Sequence, residues 1–117
     1  MRNQPIASIS QGQLDFLIKR EFPELSEIVS NKLKFVASDT ESGRRRISVA
    51  ILKLANRDFG KLDTLIEKAN FDFRDVVSQA EYPTNSLRGF DDRTLEQEMS
   101  EHRADWEDYA GWLSKTE

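Results

Sequence analysis

GRRRISVAILKLANRDF, residues 43–59, is the stretch whose reading decides the fold. Ile47, Ala50, Ile51, Leu54 and Ala55 recur at helical spacing, and Val49 and Leu52 add apolar bulk outside that stripe. A helix wetted along a whole face does not carry apolar residues almost all round. The pattern therefore predicts a central helix, about residues 44–56, on which the other elements pack. One narrow side stays polar, and it is basic: Arg46, Lys53 and Arg57 fall at i, i+7 and i+11.

Working outward toward the N-terminus, SDTESG (38–43) reads as a polar turn. Before it, Leu25, Ile28, Val29, Leu33 and Val36 form an apolar stripe of about three turns, with Pro23 suited to open that helix. Pro23 also disfavours helical geometry in Phe22, so an earlier helix should stop there. That first helix starts from Ser10 and Gln13, at capping-box spacing, and buries Leu14, Leu17 and Ile18. Residues 1–9 have no periodicity and are expected to be a loose arm.

Toward the C-terminus, Asn56 suits a left-handed helix end and Asp58 suits an N-cap. Leu62, Leu65, Ile66 and Ala69 predict a fourth helix closed by Asn70. Asp72 is then expected to cap a fifth, carrying Phe73, Val76, Val77 and Ala80. Tyr82-Pro83 ends it, and residues 83–92 make the longest connection, expected to be the most mobile. Thr94 and Gln97 repeat the capping-box spacing. Leu95, Met99, His102, Trp106, Tyr109 and Leu113 then follow at intervals of 4, 3, 4, 3 and 4. No stretch alternates with period two. The expected fold is all-α: a bundle of five or six helices around the central one, with a long amphipathic C-terminal helix, in one domain spanning residues 10–117.

Composition narrows the function classes. The absence of cysteine removes disulfides, zinc–thiolate sites and thiol nucleophiles. No apolar run approaches the roughly 20 residues of a membrane span, and the first residues lack a signal-peptide core. A soluble, cytoplasmic protein is expected. Residues 1–92 hold 14 basic and 14 acidic side chains, whereas residues 93–117 hold three and seven, so the net charge of −4 sits at the C-terminal end. That balance is not the electrostatic footprint of a general nucleic-acid binder.

Arg46 to Val76 reads R-I-x-x-A-I-L-K-L-A-N-x-D, then L-x-x-L-I-E-x-A, then D-F-R-D-V. Downstream come Ala80-Glu81-Tyr82-Pro83 and Asp105-Trp106-x-x-Tyr109-x-x-Trp112-Leu113. Over roughly the last two-thirds of its length the chain resembles a group of short uncharacterised bacterial proteins that share these features. The resemblance implies a small bacterial helical domain and brings no activity with it. It departs from the group at Arg57, where a glycine would be expected.

Several constellations invite a functional reading. Residues 44–56 and 59–70, joined by a three-residue turn, suggest a helix–turn–helix. The expected outward set of its second helix, Lys61, Asp63, Thr64, Glu67 and Lys68, sums to zero charge, which disfavours a phosphate-backed reading helix. Arg44, Arg45 and Arg46 oppose the macrodipole at a helix N-terminus and want a compensating partner, Glu41 or an external anion among them. Glu98, His102 and Asp105 fall on one side of the last helix, but His102 lies at the centre of its apolar stripe, so a packed histidine is preferred to a metal ligand. Glycine-rich phosphate loops, nucleophile elbows and H-E-x-x-H pairs are missing.

The last helix also places Glu98, Glu101, Asp105 and Asp108 along one flank, with Trp112 among them, a combination suited to a partner surface. The sequence therefore favours a non-catalytic protein-interaction module: a regulator, an inhibitor, or an antitoxin or immunity-type protein, with no cofactor and no metal. The expected partner-binding residues are Arg44, Arg45, Arg46, Lys53, Arg57, Glu101, Asp105, Asp108 and Trp112. The basic stripe is expected to meet acids, the last-helix flank first among them, either within the chain or across a homodimer. The alternatives are a nucleic-acid-binding regulator and a metal protein or enzyme using the last helix.

Overall fold

The computed structural model of the chain describes residues 9–81 and 95–115, and of residues 95–99, 101 and 102 only the backbone. Among these every regular element is helical. In order they are α1 (Gln11–Glu21), α2 (Ser26–Leu33), α3 (Glu41–Ala55), a 3-10 turn (Phe59–Lys61), α4 (Leu62–Glu81) and α5 (Leu95–Ser114).

Local chemistry sets most of the boundaries. The Ser10 hydroxyl accepts from the Gln13 N–H at 3.1 Å, and α1 stops at Phe22, just before Pro23. Pro23 does not open α2. Residues 23–25 form a turn, with the Leu25 N–H donating to the Phe22 carbonyl at 3.1 Å, and winding begins only at Ser26. The helix is thus shorter than its apolar stripe suggests. Val29, Leu33 and Val36 are buried, while Leu25 and Ile28 face outward.

α3 begins at Glu41, three residues before its expected start, because Thr40 caps it. Thr40 is extended at φ −135°, and its hydroxyl accepts from the Gly43 N–H at 2.9 Å. Gly43 therefore lies in the first helical turn, where a Cβ would sit 2.5 Å from the Ser38 hydroxyl oxygen. The helix closes at Asn56, which takes the left-handed conformation (φ 52°, ψ 47°) expected of it. Arg57 follows at φ 65°, a conformation that glycine adopts without penalty and arginine does not. Asp58 then caps the 3-10 turn, accepting from the Gly60 N–H at 3.0 Å.

The expected fourth and fifth helices are both present, running on as α4 with a non-helical break between them at Asp72 (φ −155°, ψ 96°). Asp72 acts as the expected cap, its carboxylate accepting from the Arg74 N–H at 3.1 Å. Asn70, expected to close the first of the two helices, stands two residues before the break. Its carboxamide ties α4 to the α2–α3 connection, donating to the Phe35 carbonyl (3.1 Å) and accepting from the Ala37 N–H (2.8 Å).

α3 packs against α4 and α1, and Ile47 to Leu52 and Ala55 are all buried. Around them lie Leu17, Ile18, Val29, Leu62, Ile66, Val76, Ala80 and Tyr109. Each large aliphatic side chain withdrawn in this way contributes about 1.5–3 kcal/mol before conformational entropy is subtracted. Ile9, at the end of the expected arm, is buried as well. Thr94 and the 83–92 connection lie outside the described residues. No helix among the described residues is long and apolar enough to cross a membrane.

Candidate functional site

The basic stripe of α3 turns inward at Arg46. Its Nε donates to Glu81 Oε2 at 2.9 Å and its Nη2 to Glu81 Oε1 at 2.7 Å, a two-pronged pair joining α3 to the end of α4. The Glu81 side chain is 0% exposed and that of Arg46 34%. A buried carboxylate without such a partner would be very unfavourable, so this geometry holds the two helices in register. Tyr109 of α5 packs nearby and is completely buried. Burial, and then the Glu81 charge, push its phenol well above the usual tyrosine range, against the smaller opposing effect of Arg46. Its hydroxyl has no hydrogen-bond partner among the described residues.

A second buried glutamate receives the far end of the stripe. Arg57 Nη2 lies 3.5 Å from Glu21 Oε2, which also accepts from Arg20 Nε at 2.8 Å. Arg20 in turn donates through Nη1 to the carbonyls of Trp112 (2.7 Å) and Lys115 (2.9 Å), and its guanidinium lies 4.6 Å from the centre of the Trp112 ring. A cation placed on the last carbonyls of α5 compensates the negative end of that helix. Trp112 also stacks on Tyr109 at 15° between ring planes.

The other expected partner residues are scattered. Arg44 pairs with Glu41, one of the compensating groups considered for it, and Arg45 Nε donates to the Ile9 carbonyl at 2.7 Å. Lys53 is half-buried and makes no ion pair among the described residues. Asp105 is buried, whereas Asp108 is exposed, so the acidic flank does not present one continuous surface. The Glu98, Glu101 and His102 side chains lie outside the described residues, so of the Glu98, His102 and Asp105 group weighed as metal ligands only Asp105 can be placed. Sequence reading missed Glu21, Glu81 and Arg20. Glu81 sits at an apolar position of α4, one past Ala80, and an acid in such a run is the signal that could have found it.

The outward side of the molecule is different. The 37–39 segment, the first turn of α3 and the broken middle of α4 enclose an open groove of about 800 Å³. Arg46 and Arg74 line it, each already paired, with Glu81 and Asp72 respectively. The Arg74 guanidinium, and then its backbone N–H, hold the Asp72 carboxyl below its ordinary range. The groove thus offers apolar walls and two arginines already paired, the features of a binding surface. Two large apolar side chains of its lining stand in water, Phe71 at 93% exposed and Phe73 at 49%, and Phe35, whose carbonyl Asn70 holds, is 76% exposed. Lys61, Asp63, Thr64, Glu67 and Lys68 are all exposed as expected, and Asp63 is paired with Lys32 at 2.8 Å. Comparison with protein-family models finds no match, and neither curated proteins nor solved structures match the chain.

Proposed function

We propose that this is a non-catalytic protein-interaction module of bacterial origin, of the regulator, inhibitor or antitoxin and immunity type. In this reading the helices form a bundle around α3, and the partner surface is apolar rather than charged. The observation that carries it is the exposure of Phe71, supported by Phe35 and Phe73. Scattered exposed apolar residues are normal on any surface, but aromatic side chains gathered beside a groove are the usual anchors of protein interfaces. Of the cations expected at the partner site, Arg46 pairs with the buried Glu81, and Arg57, half exposed, lies 3.5 Å from Glu21.

A photoreactive amino acid at position 71, in the bacterial host, tests the reading. It is expected to give one discrete crosslinked protein product, while the same group at Asp63 gives none. If position 71 gives no product, or one indistinguishable from that at position 63, the reading fails.

A further inference from the structure

We propose that the occupant of this apolar surface is a second copy of the chain, docked antiparallel about a two-fold axis through the outer face of α2. This rests on the interaction reading above and names its partner. Away from the buried Val29 and Leu33, the outward column of α2 runs Ile28, Asn31, Phe35 at intervals of 3 and 4, with Glu24 in the turn just before the helix. Hydrogen bonds from the N–H groups of Lys34, Phe35 and Val36 to the carbonyls of Asn31, Lys32 and Leu33 carry the winding through Phe35. Ile28 is 49% exposed on this column. Glu27 and Lys34 flank it, both exposed.

The charges have a direction. Glu24 and Glu27 lie at one end of the column and Lys34 at the other, with Ile28 and Asn31 between. The macrodipole favours that order in any helix, but it does nothing to favour Ile28 and Phe35 in water. A two-fold axis across the column sets Glu27 of each copy near Lys34 of its mate and closes Ile28 and Phe35 over the centre. A parallel arrangement would put like charges together. Lys32 is not available to either arrangement, because it is held by Asp63 and lies 5.5 Å from the centre of the Phe59 ring. Asn70 fixes the Phe35 backbone to α4, and the proposed interface continues onto the exposed Phe71 that follows Asn70 in sequence. Aromatic side chains cover about 150–250 Å² each. Phe35, Phe71 and half of Ile28 then supply about 400 Å² of the roughly 800 Å² per partner of a standard interface, and the polar flank adds to it.

Sedimentation equilibrium of the full chain, from micromolar to several hundred micromolar, tests this. A monomer–dimer equilibrium is expected. Phe35→Asp and Ile28→Asp should each weaken it by about a hundredfold or more while the circular dichroism melt is retained. Glu27→Lys and Lys34→Glu should each weaken it about tenfold, and an equimolar mixture of these two variants should recover the wild-type constant by forming the mixed dimer. A wild type that stays monomeric throughout overturns the proposal. So does a dimer indifferent to Phe35→Asp, or a mixture no tighter than its components. A monomeric protein that still gives a crosslink to another protein at position 71 sinks the dimer and leaves the interaction reading standing.

Discussion

Tyr109 shows what a single side chain reveals about this core. Its ring fills space between α5 and the Arg46–Glu81 pair, yet its hydroxyl is buried with no hydrogen-bond partner among the described residues. Leaving a polar group in that state is unfavourable, so Tyr109→Phe is expected to be neutral or to stabilise by about 1 kcal/mol in urea unfolding. The pH dependence has a definite sign. The phenol stays protonated in the fold, whereas in the unfolded chain it ionises near pH 10. Stability should therefore fall as pH rises above about 10, and Tyr109→Phe should remove that part of the fall. At this scale the sequence was readable where periodicity speaks, as at Tyr109, and silent where pairing decides. Nothing local in the chain tells Glu21 or Glu81 that an arginine from another helix will meet it, because those contacts span 35 or more positions.

Among the elements, the legible features are those set by neighbours in sequence. Ser10, Asn56, Asp58 and Asp72 perform the terminal roles that their side chains suit, each within a few residues of its partner. The start of α3 was misplaced because Thr40 caps it without the acidic residue three positions on that makes a capping box recognisable; Gly43 stands there instead. Asn70 stands two residues before the break at Asp72 but has a further role. Its residue type suggests a helix end, but its carboxamide is drawn to the Phe35 carbonyl and Ala37 N–H of a distant connection. Asn70→Ala should release both bonds, lowering stability by about 1–2 kcal/mol. The distinguishing readout is amide exchange: protection of the Ala37 N–H should be lost well before that of Ile51. Equal loss at both positions would mean that the clamp is not a local fastening.

For the whole molecule, the helical class and the burial of α3 were legible because one stretch is apolar on nearly every side. The surface was less so. Phe73 belongs to an apolar stripe yet is half exposed, since an apolar residue in a helical pattern reads the same whether or not another element covers it; Phe35 and Phe71, outside every stripe, are exposed as well. Conversely, Arg46 and Arg57, expected to meet acids on the flank of the last helix or across a dimer, reach buried glutamates at the ends of α4 and α1. Basic and aromatic side chains thus exchange roles, Arg46 and Arg57 reaching buried glutamates while Phe35, Phe71 and Phe73 face outward. A double-mutant cycle on Arg46→Met and Glu81→Leu, read as unfolding free energy, tests that exchange most directly. Arg46→Met alone should cost about 3 kcal/mol by stranding the buried Glu81 carboxylate, and the double variant should recover at least about half of it. If Arg46→Met melts like the wild type and the two changes simply add, Arg46 is a surface cation and the exchange of roles is wrong.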